Sequence, residues 1–137
     1  MKEETIMLAK ITVADYMTKH VVTVTKDTNV LEGIKKLLSH KITCAPVVDA
    51  QGHLVGLFSE KDCIKVFLES VYNQGMAGKI SDFMTSTVIS VDADSSIVEL
   101  AEKFENSSVR SFPVFDDGKF VGIISRTDVL RALTSLK

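Results

Sequence analysis

Residues 56–62 read GLFSEKD and residues 122–128 read GIISRTD. In each phrase a serine stands three residues before an aspartate, after a glycine and two apolar residues. A hydroxyl followed at that spacing by an acid can satisfy the unpaired amides that open a helix. Ser59 with Asp62, and Ser125 with Asp128, therefore predict two helix starts, and the acid also complements the helix dipole. The same groups suit a ligand. Unpaired N–H groups at a helix N-terminus attract phosphate. A serine hydroxyl can donate to phosphate, and a carboxylate in the first turn is an acceptor suited to a ribose diol. Gly56 and Gly122 would permit close packing or a bulge, or leave room for a base or sugar. Helix cap and nucleoside phosphate site both fit the phrase. Local charge separates the two copies: Arg126 flanks the second serine and favours phosphate, whereas Glu60 flanks the first and opposes it, with Lys61 to offset it, so the second repeat is the preferred ligand site.

Other reactive residue types form no comparable constellation. His20, His40 and His53 are scattered, without the paired spacing of a zinc site. Cys44 and Cys63 sit in unlike contexts and read as free thiols of a reducing compartment. No G-x-x-x-x-G-K-[ST] loop is present, so ATP hydrolysis is not expected. With 16 basic and 18 acidic residues the formal net charge is -2, which gives no reason to expect nucleic acid or an anionic membrane as partner. No run approaches the roughly 20 apolar residues that span a bilayer, and the first residues do not read as a signal peptide. A cytoplasmic protein without catalytic activity is the expectation.

The elements that position the phrases are themselves doubled. VADYMT (13–18) matches ISDFMT (80–85), VVTV (21–24) matches VISV (88–91), and APVVD (45–49) matches FPVFD (112–116). The offset is 67 and becomes 66 after the turns at 50–53 and 117–119. A repeat of roughly 55 residues is too small to bury its apolar face well alone, so two copies must pack together. Within each copy a β-branched run reads as a strand. Asn29 then starts a helix with Val30, Leu31, Ile34, Leu37 and Leu38 on one face. Asn29 with Glu32, and Ser96 with Glu99, stand at capping-box spacing. Pro46 and Pro113 are expected to open the next strand. Gly52 and Gly118 mark hairpin turns, and a second helix follows each serine. The expectation is an α/β protein of two pseudo-symmetric β-α-β-β-α units packed as a pair. The first would run over 11–69, a linker over 70–79, and the second over 80–134. The second helices carry Ile64, Val66, Phe67, Val129, Leu130 and Leu133, more apolar surface than one pair needs, which predicts a homodimer.

These matched segments resemble the cystathionine-β-synthase-type (CBS) domain, a regulatory module usually found as a tandem pair. The resemblance rests on the VADYMT and ISDFMT openings, the VVTV and VISV strands, APVVD and FPVFD, and the closing G-x-x-[ST]-x-x-[DN] phrase, and it covers roughly residues 11–134. It implies adenosine derivatives as ligands: the closing aspartate holds ribose, its Ser or Thr contributes to phosphate, and apolar residues around the proline flank adenine. Carried over, the second repeat offers Ser125, Arg126, Thr127, Asp128, Phe112 and Pro113, with Ile89, and the first offers Ser59, Asp62, Ala45 and Pro46. Many members have Arg and His before the proline. Here Arg110 keeps the first of these, Ser111 replaces the second, and Thr43 and Cys44 stand in the first repeat. The implied function is a stand-alone regulatory protein that binds AMP, ADP or ATP as a ligand, with no covalent cofactor, and signals to an unknown effector protein in trans. The alternative is a ligand-free interaction or dimerisation scaffold.

Overall fold

The computed structural model describes residues 2–73, 75 and 78–135; Gln74, Met76 and Ala77 of the expected linker lie outside them. In chain order the elements are α1 (Lys2–Lys10), α2 (Val13–Tyr16), β1 (Val24–Thr25), α3 (Val30–His40), β2 (Cys44–Val48), β3 (Leu54–Ser59) and α4 (Glu60–Asn73). Then follow α5 (Ile80–Phe83), β4 (Val91–Asp92), α6 (Ile97–Glu105), β5 (Ser111–Asp116), β6 (Lys119–Ser125) and α7 (Arg126–Thr134). The fold is α/β, with two three-stranded sheets ordered β1-β2-β3 and β4-β5-β6. In each sheet the first pair is parallel and the second antiparallel. No helix among the described residues is long and apolar enough to cross a membrane.

The chain forms two compact units that do not coincide with the sequence repeats. One is Val21–Val88; the other joins Met1–His20 to Ile89–Lys137. Each repeat's opening segment thus completes the other repeat's sheet. Thr18 exchanges paired backbone hydrogen bonds with Ile123 at 2.8 and 3.0 Å, and Thr85 does so with Leu57 at 2.9 Å each. Val13 and Ile80, both 0% exposed, carry these segments into the β4–β6 and β1–β3 cores respectively.

This exchange explains the glycines and prolines. A Cβ on Gly56 would lie 2.8 Å from both the Met84 sulfur and the Thr85 carbonyl oxygen, and one on Gly122 would lie 2.5 Å from the Thr18 carbonyl oxygen. The room these glycines leave is filled by chain, not by a base or sugar. Pro46 and Pro113 do not open their strands but sit inside them, opposite Leu57 and Ile123. Those two residues turn their backbone groups to Thr85 and Thr18, so the prolines face no waiting partner. On the other side β1 and β4 reach only Val47 and Val114 onward, so the missing proline N–H costs no ladder bond.

Most local expectations are met, with specific departures. Asn29 caps α3 by accepting from the Leu31 N–H at 2.8 Å, but Glu32 forms no reciprocal box and lies 3.8 Å from Lys35. Ser96 accepts from the Glu99 N–H at 3.0 Å. Leu38 points away from the α3 core face and is 73% exposed. Asp117 (φ 51°) and Gly118 (φ 78°) turn the β5–β6 hairpin in the left-handed region, as a two-residue connection requires. On the second helices Val66 is core, whereas Ile64, Phe67, Leu130 and Leu133 are exposed.

Candidate functional site: paired helix starts

The two closing phrases build the same device in each unit. The Ser59 N–H and hydroxyl donate to Asp62 Oδ2 at 2.8 and 3.0 Å, and the Asp62 N–H donates back to Ser59 Oγ at 3.3 Å. Ser125 and Asp128 repeat it at 2.8, 3.1 and 3.3 Å. The capping geometry follows from the three-residue spacing, which brings N-cap and N3 face to face. Both carboxylates are interior, Asp62 at 5% and Asp128 at 3% exposure.

The devices differ at the remaining carboxylate oxygen. Asp128 Oδ1 accepts from the Arg131 guanidinium, one turn along α7. Asp62 Oδ1 accepts no hydrogen bond among the described residues. Since no buried side-chain oxygen or nitrogen there lacks a partner, Asp62 Oδ1 reaches the surface. Arg131 was not among the residues read from the sequence. An aspartate followed by an arginine at helical spacing was the signal available for it.

The other candidates are placed as follows. The Arg126 N–H donates to the Arg110 carbonyl at 3.1 Å, which ties the start of α7 to the start of β5. Glu60 and Thr43 repeat this at 2.9 Å. The Arg126 side chain donates to the carbonyls of Val109 and Ser107 at 3.1 and 3.0 Å, bracing the loop before β5. Arg110 and Thr127 are exposed. Ala45, Pro46, Phe112 and Pro113 are fully buried, so their side chains belong to the cores. Ile89 is 58% exposed. With Phe112 it lines a recess of about 640 Å³ whose wall includes Asp92, Glu99 and Lys103, but none of residues 125–128. The Lys103 ammonium lies 5.8 Å from the Phe112 ring centre. The structure thus gathers the polar candidates at the helix starts and places Ile89 and Phe112 at a separate recess.

Two thiols border the Asp62 device. Burial, and secondarily the Asp62 charge, pushes Cys44 up to about 11. Burial, followed by Asp62 and Glu60, does the same for Cys63. Both cysteines are free and half-buried.

Comparison with known proteins agrees with this architecture. The CBS domain model matches residues 13–69 and 80–135. CBSX2, a CBS-pair protein from Arabidopsis thaliana, is 30% identical, with a TM-score of 0.80 over 92% of this chain and 96% of that one; it has also been solved in complex with AMP. The CBS domain pair of protein MJ0100, solved with 5′-methylthioadenosine and S-adenosyl-L-methionine, is 29% identical, with a TM-score of 0.73 over 88% of this chain and 97% of that one. The uncharacterized protein MJ1225 of Methanocaldococcus jannaschii is 29% identical over 90% of this chain, which spans only 43% of that relative. Two matched copies, each with its own sheet and closing phrase, place the chain in the CBS domain family as a tandem pair.

Proposed function

We propose that the chain is a regulatory CBS pair that binds an adenine nucleotide, AMP, ADP or ATP, and passes the occupancy to an effector protein in trans. The observation that carries this reading is the doubled helix start, where a carboxylate about 95% buried is held beside a serine hydroxyl. Burying one charged acceptor at a helix start serves a cap; the AMP and methylthioadenosine complexes of similar proteins support a second use for it. Asp62 and Asp128 are read as ribose acceptors, and Ser59, Ser125 and Thr127 as phosphate contacts. Arg110 and Arg126 add positive charge that favours phosphate at the second repeat. Ala45 and Pro46 in the first repeat, and Phe112 and Pro113 in the second, are read as core residues that back the base of their own repeat, and Ile89 as a contact from the recess it shares with Phe112. Binding shifts a conformational or assembly equilibrium and leaves the nucleotide unchanged. A cytoplasmic homodimer is the expected form.

A scaffold without a ligand is the second reading, favoured by one feature. On α4, Ile64, Phe67, Leu68, Val71 and Tyr72 are between 48% and 81% exposed and recur at helical spacing as one apolar stripe. A thermal-shift panel of AMP, ADP, ATP, S-adenosylmethionine and NAD decides between the two. A ligand at about 100 times its Kd adds about 2.7 kcal/mol, a rise of roughly 5–10 °C at this size. No rise with any of the five leaves the scaffold.

A further inference from the structure

We propose that Arg131 competes with a ligand diol for Asp128, so that the repeats are unequal and Asp62 is the more open acceptor. The inference rests on reading the two aspartates as ribose acceptors. In each device Oδ2 is committed to the capping serine. A diol therefore needs Oδ1. In α7 that oxygen is held by Arg131, whose side chain is 59% exposed while that of Asp128 is 4% exposed. The guanidinium lies at the surface, over a carboxylate that is buried beneath it.

At the matching position α4 has Lys65, which is exposed, and Asp62 Oδ1 accepts nothing among the described residues. The chemistry accounts for the difference. A guanidinium presents a planar fork that matches a carboxylate, whereas an ammonium is a compact, strongly hydrated charge on a flexible stem. Ribose acceptance and phosphate attraction are thus divided between repeats. The first has the open carboxylate, with Glu60 beside it to oppose phosphate. The second has Arg110 and Arg126 for phosphate, with its carboxylate already engaged. Phosphate-free adenosine should prefer the first repeat, and added phosphates should narrow the difference.

Calorimetric titration of adenosine into the full chain tests this, with Arg131→Gln and Lys65→Arg as variants. Both positions are exposed, and unchanged urea midpoints verify the fold. Arg131→Gln should tighten the weaker site about fivefold, the upper end for an ion pair whose arginine is screened by solvent, and leave the stronger unchanged. Lys65→Arg should weaken the stronger site by a similar factor. Asp128→Asn, which keeps a capping oxygen, should abolish the gain from Arg131→Gln. Adenosine binding that neither exposed substitution moves, or that Arg131→Gln weakens, overturns the role of Arg131 alone. If wild type and variants bind none of adenosine, AMP, ADP, ATP or S-adenosylmethionine, the ribose reading fails and this inference falls with it.

Discussion

Gly33 of α3 and Leu100 of α6 hold the same place in the two units, and their neighbours compensate for the difference. A Cβ on Gly33 would lie 2.6 Å from Ile80 Cδ1 and 3.3 Å from Phe58. Around Leu100 the matching residues are the smaller Val13 and Ile124, all in one buried cluster. Where one core has a glycine close against two large side chains, the other has a leucine in one cluster with two moderate ones. Close packing requires such matching, because interiors hold few voids. The matched residue comes in each case from the other repeat's opening, Ile80 for the first core and Val13 for the second. The two copies are alike in pattern and not interchangeable in parts.

Removal of residues 1–20 is the severest challenge to that comparison. It takes Val13 out of the β4–β6 core and the Thr18 pairing from Ile123. Hydrogen exchange should show the β5 and β6 amides losing protection while Leu57 and Thr85 keep theirs. Equal loss in both units would contradict the division described here.

Gly33→Leu imposes the second unit's choice on the first. Overpacking against Ile80 and Phe58 should cost about 1–3 kcal/mol in urea unfolding. Adding Ile80→Val and Phe58→Ile should restore most of it. A neutral single variant would show that the core has slack at this position.

The smallest expected effect concerns the thiols, since Ser111 and Val129 stand where the first repeat has Cys44 and Cys63. With both thiols raised to about 11, iodoacetamide at neutral pH should alkylate them about 100-fold more slowly than a free thiol. Full reactivity should return in urea. Their protonated form is intact in both states below pH 9. Above that the unfolded chain ionises first, so the thiols' contribution to stability is lost as pH rises towards 11. Cys44→Ser should flatten that alkaline loss. Asp62→Asn should lower both thiol pKa values, because the Asp62 charge helps to raise them. Rapid alkylation of the native protein at neutral pH would contradict the burial described.

What could be read from sequence was what is local. The serine–aspartate caps, the Gly118 turn and the doubled strand-helix order depend on residues within a few positions of one another. The exchange of opening segments, the interior prolines and the outward turn of Leu38 depend on partners far along the chain, and no short window contains them. The short helices α2 and α5 passed unread for another reason. Each is one turn, capped where the Thr12 and Lys79 N–H groups donate to the Asp15 and Asp82 carboxylates at 2.9 and 3.0 Å, and too brief to show periodicity. At the candidate site the polar residues were legible as a motif, but their engagement was not. That Arg126 braces a loop and Arg131 covers a carboxylate required the fold.

The pairing of Thr18 with Ile123 also sets a timetable. A chain made from its N-terminus at about 5–20 residues per second completes the β1–β3 unit once Thr85 has emerged. The segment holding Ile11, Val13 and Met17 is made before that unit, yet β6, the strand it joins, is made after it. For several seconds those apolar side chains have no native place to go. Of the two opening segments, the one synthesised earlier is the later to be folded, and in that interval it needs protection from other chains.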